Sequence, residues 1–337
     1  MKVMEMRDDW GIEHIKPGTR PDRSPGPGEV RIEMAAASVN YRDLVMTQRG
    51  YGRHSGELPL IPLSDGAGTV VETGAGVTRV KQGDVVCPAF GQTWISGPLR
   101  EEHRPGMLGG PLDGVMQQYM VLSEQGVVKA PAHLSAVEAA TLPCAAVTAW
   151  SAVIGGGTKP GDVVVTQGTG GVSLFAMMFA KIAGAMAIIT SSSDEKLALA
   201  RALGADIGIN YRAHPEWSRE VRKALGGRGA DLIVELGGAA SLDQSLRAVR
   251  TSGALAMIGV LSGATAELNL GRVVTQNVRL QGVTLGSREM FEDMVRAIER
   301  HRLKPAIDEK RYAFDEVGDA IRAIAAGRHF GKICIAF

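Results

Sequence analysis

The sequence predicts an α/β protein, a doubly wound parallel sheet preceded by a β-rich domain. Three observations predict it. The stretch VVVTQGTGGV, Val163 to Val172, joins a β-branched apolar run to a glycine turn and a helix start. Beyond about residue 145, strand-like apolar runs alternate with helix-like segments. Before it, short alternating runs are separated by close Gly and Pro turns.

Val163, Val164 and Val165 suit a strand buried on both faces of a parallel sheet. Gly168, Gly170 and Gly171 form the turn, and Ser173 to Ala183 reads as a helix with Leu174, Met177, Met178 and Ile182 on its apolar side. A glycine turn lets backbone approach an anion, and a helix N-terminus offers free N–H groups and a favourable dipole. The turn is therefore a candidate diphosphate site, although its sixth position is Ser173 rather than Gly or Ala. Further strands are expected at 185–190, 207–210, 231–235, 254–258 and 278–282, with helices at 194–203, 217–225, 242–249 and 289–298.

In the first part of the chain, Glu29 to Met34 alternates like a half-buried strand, and 66–72, 84–87 and 119–122 are further strands. Gln92 to Gly114 is polar and Gly/Pro-rich and reads as a surface loop. Ser135 and Glu138 form a capping box for a helix. The tail Gly331 to Phe337 reads as a strand that needs a sheet, and it is expected to pair with the N-terminal domain. The domains expected are 1–145, 146–287 and a return at 288–337.

The chain has 337 residues, with 37 Lys and Arg against 36 Asp and Glu, so no global charge draws it to nucleic acid or a membrane surface. No apolar run spans a bilayer, and the N-terminus lacks a signal-peptide core, so a cytoplasmic protein is expected. Cys87, Cys144 and Cys334 are widely spaced and read as reduced thiols.

An acid at the end of the second strand binds the ribose hydroxyls of NAD. Here that place reads Thr190-Ser191-Ser192-Ser193, with Asp194 and Glu195 in the next helix, where Ser192 and Glu195 fit a capping box. Hydroxyls with Lys196 nearby suit a ribose phosphate, so NADPH is favoured. NADH bound by Asp194 is the alternative.

Ser38 to Leu44, Pro62 to Val71, Gly83 to Val86, Leu142 to Trp150, the glycine turn, Leu203 to Asp206 and Asn210-Tyr211 together resemble the medium-chain dehydrogenase/reductase superfamily across essentially the whole chain. The resemblance implies a GroES-like catalytic domain and a Rossmann cofactor domain. Its zinc-independent quinone oxidoreductase-like and alcohol dehydrogenase-like branch is the nearest. In NADPH-using members a Ser, a Lys and a Tyr hold the ribose phosphate, and Ser192, Lys196 and Tyr211 match. The candidate nucleotide set also includes Asn40, Thr148, Gly168, Thr169, Gly170, Gly171, Val172, Ser191, Gly237, Gly259, Val260, Leu285, Gly331 and Lys332. The nicotinamide is expected near Asn40, Cys144 and Thr148.

The family's zinc ligands fall at Asn40, Asp65 and Cys144, so no catalytic metal is expected, and Gln92 to Gly114 has no Cys for a structural one. Without a metal, charge developing on a substrate oxygen needs a donor. Tyr51 matches a tyrosine proposed as proton donor in related enoyl reductases, and Tyr41 is the second candidate. Either can equally be a wall residue. Asn40 is a hydrogen-bonding candidate toward substrate or ribose, and Asp43 reads as an ion-pair partner. His54 and His103 read as solvated, and Arg42, Arg49 and Arg53 as surface residues. The expected reaction is hydride transfer from NADPH to a quinone or conjugated carbonyl. The alternatives are metal-free alcohol or aldehyde chemistry and non-catalytic NADPH binding. The resemblance further implies a homodimer formed through the edge at Val278 to Gly286.

Overall fold

The computed structural model describes residues 1–337, which divide into two compact units: Met1–Val147 with Gly286–Phe337, and Thr148–Leu285. In the first unit, β1 (Lys2–Met6) and β2 (Ile15–Thr19) form an antiparallel pair. The long strand β3 (Glu29–Val39) follows, then α1 (Tyr41–Thr47), β4 (Asp65–Thr73), β5 (Val85–Pro88), β6 (Tyr119–Ser123) and β7 (Val127–Lys129). Helix α2 (Ala136–Ala139) starts with the expected box: Ser135 Oγ accepts from the Glu138 amide while Glu138 reaches back to the Ser135 amide at 2.8 Å. A π-turn at Leu142–Ala146 leads into α3 (Val147–Val153).

The second unit runs β8 (Val163–Gln167), α4 (Gly171–Ile182), β9 (Met186–Ser191), α5 (Asp194–Ala202), β10 (Ile207–Asn210), α6 (Trp217–Ala224), β11 (Ala230–Glu235), α7 (Leu242–Ala248), β12 (Val249–Met257), α8 (Leu270–Thr275) and β13 (Arg279–Gly282). Its six strands are all parallel, in the order β10-β9-β8-β11-β12-β13. The order reverses direction at β8, so the switch point lies between β8 and β11, where open α/β sheets bind ligands at the strands' carboxyl ends. Every residue of β8 and β11 is buried, which explains their continuous apolar runs. Val165, Ile188, Ile233 and Leu255 pack with Trp217 and Leu246 into the core of one face. Strand β13 is the sheet's edge and is exposed throughout.

The chain then returns to the first unit with α9 (Arg288–His301), β14 (Ile307–Ala313), α10 (Val317–Ala326) and β15 (Lys332–Ala336). Strand β15 lies between β14 and β3 in a seven-stranded sheet, antiparallel to β3 with Cys334 opposite Ser38. The tail thus finds its sheet in the unit built from the N-terminal residues.

Two expectations are corrected here. Gln92 to Gly114 is a largely irregular segment with many exposed residues, as expected, but it is not wholly a surface loop: Trp94 and Leu108 are buried, Gly91 bridges Met107, and residues 101–106 form a 3-10 turn. Within it His103 is not solvated, because its ring stacks on Trp94 and its Nδ1 accepts the Arg100 amide. Polar composition hid a segment anchored by buried Trp94 and Leu108.

Candidate functional site

In the second unit the glycine turn leaves the end of β8. Gly168 has φ +78°, its N–H donates to Thr190 O at 2.8 Å, and a Cβ there would meet nothing within 4 Å. The space over this turn is open to a ligand. Gly170 is the N-cap of the twelve-residue α4, whose first N–H groups, from Gly171 and Val172 onward, lack intrahelical acceptors. Thr169 is buried beside them. Ser173, the departure from the usual pattern, has a use: its buried hydroxyl donates to Gln167 O at 2.5 Å and ties the helix to its strand.

Across the switch point a polar network braces the next turn. Gln167 Nε2 donates to Glu235 Oε2 and to Ser245 Oγ, both at 2.7 Å, and its Oε1 accepts the amides of Leu236 and Gly237. Glu235 is fully buried and also accepts from the Gly238 amide, Ser241 Oγ and Ser245 Oγ. Gly238 has φ +83°, and a Cβ there would lie 2.7 Å from Gly263 O. A Cβ on Gly259 would lie 2.3 Å from Leu236 O. The loops after β11 and β12, which carry Gly237, Gly259 and the exposed Val260, therefore pack backbone against backbone. Sequence reasoning found the glycines and missed Gln167 and Glu235, which carry no motif.

Ser191 and Asn210 are register partners at the ends of β9 and β10, and the Tyr211 amide donates to Ser191 O at 3.0 Å. Ser191, Ser192, Lys196 and Tyr211 thus gather around two adjacent strand ends, with the Tyr211 side chain 41% exposed. The cap of α5 is Ser193, which accepts the Lys196 amide at 3.3 Å, so the expected Ser192–Glu195 box does not form. Ser192 precedes the cap, and neither it nor Glu195 is used in it. Asp194 accepts Asn210 Nδ2 at 3.0 Å, an engagement that holds its carboxylate locally. Thr148 and Leu285 are the first and last residues of this unit, and both are buried.

The first unit assembles a buried charged cluster. Asn40 follows β3 and caps α1, where the Asp43 carboxylate accepts its amide at 2.8 Å. Asp65 opens β4 opposite Ser38; it accepts Ser64 Oγ at 2.8 Å and the Cys144 amide at 3.1 Å. Lys332, 3% exposed, donates from Nζ to Val39 O at 2.9 Å and to Asn40 Oδ1 at 2.5 Å, and lies 3.8 Å from Asp65 Oδ2. Gly331 allows this placement: it has φ +75°, and a Cβ there would sit 2.2 Å from Ala306 O. Asn40 Nδ2 is buried without a partner, a state that costs about 1–3 kcal/mol unless a ligand relieves it.

These residues do not fit a zinc ion. An ammonium stands among the three ligand positions, Asn40 Oδ1 already accepts from it, and both Asp65 oxygens are engaged. Burial, and then the Asp65 carboxylate, push the Cys144 thiol up, away from the thiolate that zinc requires. No group of three or more His, Cys, Asp or Glu side chains is arranged to hold a metal.

Next to this cluster, Arg42 pairs with Asp43 at 3.1 Å and lies over the Phe90 ring at 4.5 Å and the Tyr51 ring at 6.0 Å. Arg42 is therefore a packed residue rather than a surface one. Tyr41 and Tyr51 are 42% and 45% exposed, so both phenols reach solvent space at this site. Burial outweighs the Arg42 guanidinium at Tyr51, and its phenol is held above its ordinary range, so it remains a proton donor at neutral pH.

Asp43 is pushed up to about 6, chiefly by burial, against the lowering effect of Arg42. A folded-state value above the unfolded one means that the native state binds more protons between about pH 4 and 6. Stability from this group is present at low pH and lost as pH rises through 6. Asp43→Asn keeps an acceptor for the Asn40 amide and is expected to flatten that decline. Unfolding midpoints measured from pH 4 to 7 check it; an unchanged slope would assign the decline elsewhere.

A glycine-turn helix at the switch point of a six-stranded parallel sheet in one unit, and phenol and amide donors in a β-rich other unit, define a pyridine-nucleotide oxidoreductase fold. The alcohol dehydrogenase GroES-like domain family matches residues 26–132 and the zinc-binding dehydrogenase family matches residues 171–300. A zinc-type alcohol dehydrogenase-like protein of Schizosaccharomyces pombe is 39% identical, over 96% of both chains. A Sinorhizobium meliloti protein assigned as an alcohol dehydrogenase superposes with TM-score 0.92 at 41% identity, over 100% of this chain and 99% of that one. An NAD-dependent alcohol dehydrogenase gives 0.89 at 32%, over 100% of both. A Pseudomonas syringae quinone oxidoreductase gives 0.83 at 26%, over 100% and 99%. The chain belongs to the medium-chain dehydrogenase/reductase superfamily.

Proposed function

We propose that this chain is a metal-independent oxidoreductase that uses NADPH to reduce a quinone or an α,β-unsaturated carbonyl. One observation carries the reading: Lys332 stands as a buried cation among Asn40, Asp65 and Cys144, the positions where the family's zinc enzymes hold their metal. The diphosphate would lie over Gly168, Thr169 and Gly170 against Gly171 and Val172 at the start of α4. Gly237, Gly259, Val260, Leu285, Thr148 and the Gly331–Lys332 turn complete the nucleotide set. When bound, NADPH supplies a hydride. Asn40 hydrogen-bonds to an oxygen of substrate or ribose. Tyr51 donates the proton, with Tyr41 as the second donor, and its raised phenol keeps that proton available.

Ser191, Ser192, Lys196 and Tyr211 support NADPH over NADH, because Asp194 is engaged by Asn210 and a ribose phosphate suits hydroxyls with a cation. Lys196→Ala is expected to raise KM for NADPH about ten- to a hundredfold, the worth of a charge-assisted contact, and to leave KM for NADH nearly unchanged. Steady-state kinetics with both nucleotides check this. Equal effects on the two would remove Lys196 from the phosphate site.

The deciding experiment is product analysis with an α,β-unsaturated aldehyde and, separately, a quinone, each with NADPH and a chelator. A saturated aldehyde, lost in Tyr51→Phe, supports the reading. An allylic alcohol moves the reaction to C=O reduction, which the alcohol dehydrogenase relatives favour. No turnover of either compound leaves a non-catalytic nucleotide-binding protein. A homodimer is proposed through the exposed edge β13, where Leu280 is open to solvent, as are Val274 and Leu270 on the preceding helix α8. Sedimentation equilibrium reporting a monomer would reject it.

A further inference from the structure

We infer that Lys332 is a positioning residue: its ammonium replaces a metal as the cation of the Asn40–Asp65–Cys144 cluster and turns the Asn40 carboxamide so that its NH2 faces an acceptor oxygen of a bound ligand. The inference deepens the reading above and rests on it. An ammonium has three donors and no acceptor. The group of Asn40 that meets it must therefore be Oδ1, and the amide orientation follows from chemistry rather than from a choice between two similar atoms. Nδ2 is then directed away from the lysine. It is buried and has no partner, in a residue only 7% exposed.

The lysine is itself held from several sides. Val39 O accepts a hydrogen bond from it, and Asp65, 3.8 Å away, balances the charge. Asp65 is anchored in turn by Ser64 and the Cys144 amide. The Lys332 amide donates to Ala306 O at 3.0 Å, across the close approach that only Gly331 permits. These partners engage the ammonium within the protein, so the ammonium acts on a ligand through Asn40, and only the backbone of the Gly331–Lys332 turn is left for the nucleotide. The acceptor that Asn40 can meet is a carbonyl oxygen of the substrate or a ribose hydroxyl oxygen of the nucleotide.

The test is a double-mutant cycle on the full chain, using Lys332→Met, Asn40→Ala and the pair. The readouts are KM and kcat for an α,β-unsaturated ketone, and the NADPH dissociation constant by fluorescence titration without substrate. Each single variant is expected to weaken one of these about tenfold, the worth of one hydrogen bond, and the pair no more than Asn40→Ala alone. A change in the ketone constants with unchanged NADPH binding assigns the oxygen to the carbonyl. A change in NADPH binding assigns it to the ribose. Lys332→Gln, which keeps an N–H donor without the charge, is expected to recover part of the loss. If Lys332→Met does not fold, the cycle is run with Lys332→Gln, whose defect must likewise vanish in the Asn40→Ala background. Additive effects, or wild-type constants in a folded Lys332 variant, overturn the inference. Wild-type protein that binds no NADPH would instead sink the functional reading itself.

Discussion

Glu235→Ala is expected to lower the stability of the nucleotide-binding unit by about 3–5 kcal/mol, at the top of the range for single substitutions. Glu235 is fully buried and no cation pairs with it. Four groups donate to its two oxygens: the Gly238 amide, the Ser241 and Ser245 hydroxyls and the Gln167 amide. Truncation leaves those donors in a dry site. Each stranded donor costs about 1–3 kcal/mol, less what rotation of the hydroxyls and an entering water recover. Glu235→Gln is expected to cost less, since one carbonyl oxygen remains. The same network sets the turn at Leu236 and Gly237, so pyridine-nucleotide affinity should fall with stability. Hydrogen exchange reads each unit through its own amides and so isolates the second one. A loss below about 1 kcal/mol would show that Gln167 and the serines hold the turn unaided.

Asp65→Ala should destabilise the other unit by a similar amount. It removes the carboxylate nearest a buried ammonium and leaves Lys332 with two neutral acceptors. Breaking one side of a buried pair costs about 3–5 kcal/mol, mostly because the remaining charge is uncompensated. The sign of the second step is diagnostic. Adding Lys332→Met to Asp65→Ala removes the stranded charge and is expected to restore much of the loss, so that the double variant is more stable than Asp65→Ala alone. Continued decline in the double variant would mean that Asp65 contributes through Ser64 and the Cys144 amide rather than through charge. Chemical unfolding with exchange detection distinguishes the two.

The parallel sheet was legible because its strands are buried on both faces. Burial of that kind writes itself as uninterrupted runs such as Val163 to Val165 and Leu232 to Val234, and a glycine turn has few other uses after such a run. The Ser135–Glu138 cap was legible because it is local. What escaped depends on distant pairing. Lys332 entered the candidate nucleotide set through the resemblance alone; its pairing with Asn40, 292 positions away, leaves no local mark in the chain. Gln167 and Glu235 meet only once β8 and β11 lie side by side. His103 looked solvated because its partner, Trp94, sits in a segment whose average polarity concealed two anchors. The shift of the α5 cap from Ser192 to Ser193 shows the ordinary limit of a motif when three serines stand in a row.

The place of β15 has a consequence for the order in which the chain is made. Residues 148–285 are contiguous, so that unit can close as soon as they have left the ribosome. The other unit cannot. The gap next to its edge, between β3 and β14, stays open until residues 332–336 arrive, and until then both neighbours present unpaired edges. The same late strand delivers Lys332 to Asn40 and Asp65. Completion of the sheet and completion of the charged cluster are thus one event in biosynthesis, and a chain that stalls before it has a finished nucleotide fold and an unfinished catalytic one.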